Sequence, residues 1–270
     1  MSSTRLALRQ TPALRVDLRG VTPAACDGLA VAQIEHLPVT HGNQTLPLAE
    51  FFAVTTSEGD DELIFDGDLS RFDRVGWQLA RGRIVVNGAV GDYAGACMAA
   101  GELHVQGHAG VLAACEMAGG MLIVEGNAGD FAAGALPGSM DGMRGGSLIV
   151  KGRAGERFGD RMRRGTALVF GDAGDFLASR MVAGTIAIGG AAGAHVGYGM
   201  RRGSVVFAGP APRIAPTFEP ALVEASVFWQ LLARDLAGCG GPFAALASRR
   251  TVRHLGDVAA GGKGELIVAI

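Results

Sequence analysis

The sequence predicts an all-β protein: a single-stranded right-handed β-helix of about seven 19-residue coils, with an N-terminal cap and a C-terminal helix and strand. Three observations support this prediction. Glycine supplies 43 of the 270 residues, more than twice its usual share of about 7%. The chain repeats itself with a period of 19 residues. Each repeat carries a short run rich in β-branched residues, which is typical of strands.

The repeat is defined by glycines that open seven successive units at intervals of 19, 19, 26, 19, 19 and 19 residues. A second glycine follows six residues into each unit, and a methionine closes the first six units. The opening glycines are Gly82, Gly101, Gly120, Gly146, Gly165, Gly184 and Gly203, and the methionines are Met98, Met117, Met143, Met162, Met181 and Met200. Helical repeats are longer than this period. Each unit therefore predicts one coil, with glycine at the corners because a tight bend favours positive φ.

The recurring methionine has two interpretations. A ladder of thioethers can bind a soft metal, but a flexible side chain that returns at the same point of every coil is ordinary core filler. We predict a core position. The 26-residue interval places seven extra residues between Gly129 and Met143, within residues 132–142. Insertions in repeat arrays form loops on one face, often the contact face, so we predict a protruding loop there.

Three segments follow from this pattern. They are an N-terminal capping segment (1–80), the glycine-repeat β-helix (81–209), and a proline-rich connector with a helix and a terminal strand (210–270). Within the cap we expect strands near Leu14–Leu18 and Glu62–Asp66 and a turn at His41–Asn43. In the last segment we expect a helix over Ala221–Leu236 and a strand over Glu265–Ile270.

Composition excludes several classes of protein. The net charge of −2 argues against a nucleic-acid partner, which needs an excess of basic residues. No apolar run approaches the roughly 20 residues that span a bilayer, and the first 19 residues lack an apolar secretion segment. We expect a cytoplasmic chain with no membrane contact. The four cysteines lie 71, 18 and 124 residues apart, which fits neither a zinc site nor a disulfide scaffold, so we expect buried thiols.

The search for chemistry finds no catalytic residue and no metal site. His104 and His108 have the spacing of a helical metal site, but they flank the corner Gly107 of a strand, where this spacing separates side chains. Residues 256–264 approach a phosphate-binding loop but lack the hydroxyl residue that should follow Lys263, so we expect a turn. Acidic residues that follow corner glycines also have a turn explanation: Asp92, Asp130, Glu156 and Asp175.

Charge is distributed unevenly along the array. Residues 82–143 hold one basic and six acidic residues, whereas residues 144–202 hold ten basic and four acidic residues. In the basic half, arginines follow the closing methionines at Arg144, Arg163, Arg164, Arg201 and Arg202. They predict an arginine edge along successive coils. It is either a solvated rim or a docking site for an acidic subunit surface or a polyanionic ligand.

The strands are apolar on both faces, which requires a cover on the outside. The outer positions are predicted at Val85, Ile123, Ile149, Leu168, Ala187 and Val206. We expect the C-terminal helix to cover part of them through Val223, Val227, Phe228, Leu231 and Leu232. The uncovered remainder predicts an obligate subunit with a permanent partner.

The repeat motif resembles that of a known family. The spacing in Gly82–Met98 and Gly165–Met181 is similar to the GXGXG β-helix shared by the C-terminal domain of glutamate synthase and by the C subunit of formylmethanofuran dehydrogenase. The turn His41–Asn43 with Phe51 and Phe52, and the GDLSR stretch from Gly67, resemble the C subunit specifically. So does the enlarged third coil that ends at residues 141–146. The resemblance covers residues 36–209.

The resemblance implies a structural subunit. The chain has two lysines against 22 arginines, which fits a high-GC bacterium and therefore the C subunit of the bacterial formyltransferase/hydrolase complex. That complex passes a formyl group from formyl-tetrahydromethanopterin to a methanofuran-type carrier and hydrolyses it to formate during formaldehyde oxidation. The family implies that other subunits do this chemistry: a formyltransferase, an amidohydrolase-like hydrolase and a further subunit.

The cofactors follow the same division. This chain is expected to carry none, whereas the methanofuran-type carrier, tetrahydromethanopterin and metal belong to the partner subunits, and the acidic tail of the carrier suits the arginine edge. Three alternatives stay open: the C subunit of a formylmethanofuran dehydrogenase, a glutamate-synthase-like spacer, and an independent carbohydrate-active β-helix enzyme.

Overall fold

The computed structural model describes residues 2–221 and 226–270. The strands are β1 (Ser2–Leu8), β2 (Val16–Asp17), β3 (Pro38–His41), β4 (Gln44–Pro47), β5 (Phe52–Glu58), β6 (Glu62–Asp66), β7 (Phe72–Asp73), β8 (Arg83–Asn87), β9 (Glu102–Val105), β10 (Met121–Val124), β11 (Arg144–Val150), β12 (Arg164–Val169), β13 (Thr185–Ile188), β14 (Ser204–Phe207), β15 (Glu219–Pro220), β16 (Thr251–Gly256) and β17 (Gly264–Ala269). The α-helices are α1 (Pro23–Cys26), α2 (Val31–Glu35) and α3 (Ser226–Ala237), and short 3₁₀ turns cover Leu48–Glu50, Gly241–Phe243, Leu246–Ser248 and Val258–Ala260. The protein is therefore all-β in class, as predicted.

The seven predicted repeat strands are β8 to β14, and they lie side by side in one sheet. Each pairs in parallel with the next, so that Ile84 faces Leu103 and Leu103 faces Leu122. β6 adds a parallel strand before β8, and β17 adds one after β14. Within the described residues this sheet has thirteen strands in the order β15-β16-β17-β14-β13-β12-β11-β10-β9-β8-β6-β1-β5.

A second ladder shows how the repeats stack. Single residues two positions after the second glycine form parallel bridges from one repeat to the next: Leu69, Val90, Ala109, Ala128, Ala154, Ala173 and Ala192. Each repeat thus adds one strand to the sheet and one bridge to this ladder before the chain returns to the sheet. Backbone hydrogen bonds also join the second glycines, as from Gly107 N–H to Gly88 O at 2.9 Å.

The glycines serve two different purposes, and the corner explanation holds for only one of them. Gly101, which opens a repeat, has φ +77°, as expected for a corner. Gly107, the second glycine, does not have positive φ, but a Cβ there would lie 2.7 Å from Ala89 N and 2.8 Å from Gly88 O. The second glycines are required because stacked backbones approach too closely for a side chain.

Positive φ is also held by other residue types, contrary to the expectation that glycine supplies it. Fifteen non-glycine residues in the described ranges have positive φ, and Tyr93, Phe131 and Phe176 occupy the same point of three repeats. Each such residue costs roughly 1–2 kcal/mol relative to ordinary backbone. The stack offsets this cost, since Tyr93 N–H donates to Val111 O at 2.9 Å and Phe131 N–H to Glu156 O at 2.8 Å.

The core runs along the inside of the stack. All six closing methionines are fully buried, which confirms that they fill the core. The inward strand positions pack beside them, as with Leu103 and Val105 in β9 and Leu122 and Val124 in β10. In the described residues the interior of the stack is thus formed mainly by apolar side chains.

The outer face of the sheet is covered over only part of its length. One outward file joins Ile64, Val85, His104, Ile123, Ile149, Leu168, Ala187, Val206 and Ile267 in direct register. From Leu168 onward the file is buried beneath α3 and the 3₁₀ turns that follow it. The earlier members, Val85, Ile123 and Ile149 among them, are only half-buried.

The predicted covering residues of the C-terminal helix need correction. Trp229, Ala233 and Leu236 face the sheet, whereas Val227, Phe228 and Leu231 are exposed. Leu232 is partly buried in the same cluster, and Val223 lies outside the described residues. The helix carries two apolar stripes, and the one with the spacing 229, 233, 236 is buried because its large tryptophan packs in the cluster formed by the outward residues of the last strands. In the described residues helix α3 spans Ser226–Ala237 and Ala221 is not helical, while residues 222–225 of the predicted helix lie outside the described ranges.

The N-terminal residues close the other end of the stack. β1 pairs in parallel with β6 and antiparallel with β5, which leaves no parallel edge there for another coil. A four-stranded sheet, β4-β3-β2-β7, packs beside it. The turn at His41–Asn43 joins β3 and β4 as predicted, while the predicted strand Leu14–Leu18 shrinks to Val16–Asp17.

Candidate functional site

The predicted arginine edge forms a cleft in the structure. Arg144 and Arg164 are bridge partners at the starts of β11 and β12. Arg163 N–H donates to Met143 O, and Arg201 N–H donates to Met181 O, both at 2.8 Å. These hydrogen bonds fix Arg163 and Arg201 two repeats apart in the stack, in which each repeat advances about 4.8 Å. All five predicted residues line one cleft of about 500 Å³: Arg144, Arg163, Arg164, Arg201 and Arg202.

The floor of this cleft comes from a repeat that breaks the arginine pattern. Val182 and Ala183 occupy the two positions after Met181 and line the cleft between the flanking arginine pairs. Sequence reasoning missed both residues, although the gap in the arginine series was the available signal.

The cleft is strongly positive. Arg144 pairs with Glu116 at 3.3 Å, and Arg163 pairs with Asp141. Arg164, Arg201 and Arg202 have no ion pair within the parts of the chain that the structure describes. Lys263 extends the same edge by one strand, since its N–H donates to Arg201 O at 2.7 Å. The place of Lys263 on this edge was not predicted from the sequence, although Lys263 precedes Gly264 in the same way that Arg202 precedes Gly203.

This arrangement is suited to anion binding rather than to catalysis. Guanidinium groups stay charged at physiological pH and offer paired N–H donors that match carboxylate and phosphate. Like charges held one or two coils apart repel one another within a Debye length of about 8–10 Å. An anionic ligand or protein surface removes that repulsion, so the cleft favours a partner with several negative groups.

The other singled-out residues have structural partners. Asp92, Asp130 and Asp175 each accept the backbone N–H of a residue in the next repeat, at 3.0, 2.8 and 2.7 Å. These carboxylates link each repeat to the next one. Glu156 takes part through its backbone N–H, which Asp130 accepts. They therefore fix the turns between coils, as the turn explanation predicts.

His104 and His108, which have the sequence spacing of a helical metal site, make hydrogen bonds to different partners. His104 Nε2 contacts Glu125 at 2.9 Å, whereas His108 Nδ1 accepts the N–H of Asn127 at 2.8 Å. Within residues 2–221 and 226–270, no group of three or more His, Cys, Asp or Glu side chains is arranged to hold a metal ion. Residues 256–264 form the turn between β16 and β17, as predicted.

In the described ranges, no helix has both the length and the apolar character that crossing a bilayer requires.

The prediction of buried cysteines holds for two of the four. Cys26 and Cys115 are buried, whereas Cys97 and Cys239 are partly exposed. Burial raises the pKa of Cys26 from 9.0 to about 11, and burial raises the pKa of Cys115 further still. Burial also raises the pKa of Cys239. A protonated thiol is a poor nucleophile, so the buried Cys26 and Cys115 act as packing residues.

We expect iodoacetamide at pH 8 to alkylate Cys239 well before Cys26 in the native chain. At pH 8 a pKa of about 11 lowers the thiolate fraction of Cys26 about hundredfold relative to an ordinary thiol of pKa 9.0, and Cys26 is also buried whereas Cys239 is partly exposed. Between pH 9 and about 11 the Cys26 thiol is deprotonated in the unfolded chain but stays protonated in the folded chain. The contribution of Cys26 to the free energy of unfolding therefore falls as pH rises from 9 toward 11. Peptide mapping by mass spectrometry measures the order, and equal labelling of Cys26 and Cys239 would contradict it.

The comparisons with known proteins agree with one another. The model of the GXGXG motif family matches residues 138–230. A chain in the X-ray crystal structure of the formyltransferase/hydrolase complex (FhcABCD) from Methylorubrum extorquens in complex with methylofuran is 42% identical, with a TM-score of 0.91. The match covers 98% of this chain and 99% of that one.

Curated relatives give the same assignment over a shorter segment. The Fhc C subunit of the formyltransferase/hydrolase complex from Methylorubrum extorquens is 44% identical over 86 residues, 32% of each chain. The C subunit of tungsten-containing formylmethanofuran dehydrogenase 2 from Methanothermobacter thermautotrophicus is 32% identical over 100 residues, which are 36% of this chain and 37% of that protein. The matched segment thus spans about a third of the length of these curated relatives.

The long match at 42% identity and the curated relatives identify the same group of proteins. The chain belongs to the family of C subunits of the formyltransferase/hydrolase and formylmethanofuran dehydrogenase complexes.

Proposed function

We propose that this chain is the structural C subunit of a cytoplasmic formyltransferase/hydrolase complex. That complex would transfer formyl from formyl-tetrahydromethanopterin to a methanofuran-type carrier and hydrolyse it to formate, in one-carbon metabolism and formaldehyde oxidation. The supporting observation is the match over 98% of the chain to a chain of the solved FhcABCD complex. The bacterial complex is favoured over the dehydrogenase because the match to a chain of the FhcABCD structure runs over 98% of this chain at 42% identity, whereas dehydrogenase C subunits match at 29–39% identity over only 72–100 residues.

A scaffolding role is consistent with the surfaces of the chain. The polar groups singled out in the stack hold adjacent coils together, and three of the cleft arginines have no ion pair in the described residues. At the same time Val227 and Leu231 on α3 are 69% and 62% exposed, and the described residues leave half of the outward file of the sheet without a cover. Such apolar surfaces are unfavourable in water. Partner subunits, namely a formyltransferase, an amidohydrolase-like hydrolase and a further subunit, would bury them and supply the metal and the pterin site.

The architecture proposed for this role is a right-handed β-helix. The parallel strands β8 to β14, the bridge ladder beside them and the short connections support it, because parallel strands joined by a crossover are right-handed in about 98% of cases. We divide the chain into the cap at 1–80, the helix at 81–209 and the covering extension at 210–270. The rigid stack would hold its partners at fixed positions.

The experiment that tests the function is an omission series. The formyltransferase, the hydrolase and the remaining subunit are co-expressed with and without this chain, and formate release from formyl-tetrahydromethanopterin is assayed. We expect formate release from the complete set, none from the isolated chain and a large loss when the chain is omitted. Full activity without the chain, or activity of the isolated chain, would overturn the proposal.

The arginine cleft is proposed as the contact for the acidic tail of the methanofuran-type carrier. Arg163→Ala combined with Arg201→Ala removes two of the five guanidinium groups. We expect a rise in KM for the carrier of about tenfold, with kcat little changed, because exposed charge-assisted contacts contribute about 1 kcal/mol in total or somewhat more.

The matched control removes the same charge elsewhere. Arg9 and Arg250 are exposed and lie after β1 and before β16, so Arg9→Ala with Arg250→Ala should leave KM unchanged. Steady-state assays at two salt concentrations measure both pairs. Unchanged KM in the cleft variant would leave the cleft as a solvated rim or as a contact for an acidic subunit surface.

A further inference from the structure

The seven-residue enlargement of the third coil builds one wall of a second cleft. Leu136 N–H donates to Glu116 Oε1 at 3.4 Å, which fixes the loop to the preceding coil. Gly142 N–H donates to Arg161 O at 2.9 Å, and the Arg161 side chain donates to Ser139 O. The loop is thus tied to coils on both sides, and the wall is formed without any partner.

One side of this cleft is apolar. Leu112, Phe131, Leu136 and Pro137 line a space of about 310 Å³, which equals the volume of about ten water molecules and lies at the lower end of ligand-pocket sizes. Phe131 in the lining is 37% exposed, and Met140, which follows the lining residue Ser139 in the loop, is 69% exposed. We call these two residues the rim, and an occupant confined to the cleft would leave the rim in water.

The other side of the cleft is positively charged. Asp160 is buried and accepts hydrogen bonds from the Ser179 hydroxyl and from Arg180 Nη2 at 2.8 and 2.9 Å. Arg161 Nε lies 3.7 Å from the same carboxylate, too far for a hydrogen bond, and it is buried without a hydrogen-bond partner. Two guanidinium groups therefore share one carboxylate, and the cleft retains a net positive charge.

We propose that this cleft docks a segment of a partner polypeptide that carries a large apolar side chain beside a carboxylate. The apolar side chain packs against Leu112, Phe131 and Leu136, and the carboxylate, from Asp, Glu or a free C-terminus, reaches Arg161 and Arg180. A polypeptide satisfies both halves of the site because its neighbouring residues also cover the rim at Met140. This inference rests on the proposed function, in which the chain is one member of a complex.

The cleft differs in chemistry from the arginine cleft. There the lining is five arginines with Val182 and Ala183, which suits a ligand with several charges and little apolar surface. In the second cleft, apolar contact supplies most of the buried area, and the single net positive charge fixes the orientation of the occupant by attracting its carboxylate. The two clefts therefore fit different occupants, and disrupting one need not affect the other.

Site-specific cross-linking tests the docking site in the assembled complex. The photo-reactive residue p-benzoylphenylalanine replaces Met140 at the rim, and in a control it replaces Leu14, an exposed residue of the cap. After irradiation, mass spectrometry locates the cross-linked residue. We expect the Met140 probe to label a partner polypeptide at a peptide that has a large apolar residue within two positions of Asp, Glu or a free C-terminus.

A second variant ties the cross-link to the cleft itself. Leu136→Glu places a carboxylate against the proposed carboxylate and removes apolar contact, while Leu14→Glu makes the same change on the cap. We expect at least a tenfold loss of the Met140 cross-link in the first variant and none in the second, with both chains folded by circular dichroism.

The contrary outcomes are distinct. A complex that assembles and releases formate while Met140 cross-links only within its own chain, to a second copy, to a low-mass compound or to a peptide without a carboxylate overturns the docking site and leaves the proposed function standing. Failure to recover any complex overturns both.

Discussion

Gly107→Ala is expected to destabilise the chain by about 3 kcal/mol or more, although alanine is the smallest possible change. Its Cβ would lie 2.7 Å from Ala89 N and 2.8 Å from Gly88 O. These are backbone atoms of the preceding coil, which is itself held by the 2.9 Å hydrogen bond from Gly107 N–H. Relief requires the two coils to separate and to break that ladder, so the cost exceeds ordinary overpacking. Chemical denaturation monitored by circular dichroism measures it.

The control for this prediction is a glycine with open space. Gly28 has φ +73°, and nothing lies within 4 Å of a Cβ built on it. Gly28→Ala should cost about 1 kcal/mol, from the left-handed backbone alone. If Gly107→Ala proves no worse than Gly28→Ala, the coils are not stacked as closely as the structure has them.

Trp229→Ala is expected to cost about 3–5 kcal/mol, the usual range for removing a buried aromatic side chain. Trp229 packs with Ala233 and Leu236 over the outward residues of the last strands, and its indole N–H donates to Arg249 O at 3.2 Å. Truncation leaves a cavity in this cluster and leaves the Arg249 carbonyl without its indole donor. Denaturation of the isolated chain measures the loss of stability.

A substitution at the neighbouring Phe228 distinguishes an effect on folding from an effect on complex assembly. It is 43% exposed, so Phe228→Ala should change the free energy of unfolding by less than about 1 kcal/mol. If partners cover the exposed stripe of α3, the same variant weakens complex formation instead. A Trp229→Ala chain as stable as the native protein would show that the extension does not act as a cover.

The sequence carries most of the information about the stack because the repeat fixes register. Once Met98, Met117 and their counterparts return at one point of the unit, the strand positions, the inward and outward faces and the arginine edge follow. Arg163 and Arg201 were predicted to share an edge for this reason, and they line one cleft. Repetition replaces the long-range information that a single sequence usually lacks.

The errors arise where the repeat does not apply. Helix α3 has two apolar stripes, and only the three-dimensional fit of Trp229 decides which one faces the sheet. Positive φ at Tyr93 could not be predicted from composition, because inter-coil hydrogen bonds rather than residue type support it. The second cleft could not be predicted either, because it depends on the conformation of residues 132–142. That insertion lies outside the repeat, so the repeat gives no information about its conformation.

The measurement that tests the central claim most directly is the native mass of the complex that contains this chain. The chain is tagged in its own host, purified under native conditions and weighed by native mass spectrometry, and its partners are sequenced. We predict a hetero-oligomer that contains a formyltransferase and an amidohydrolase-like hydrolase and that releases formate from formyl-tetrahydromethanopterin. A free chain of 27.6 kDa, or a complex that lacks both enzymes, would contradict the assignment.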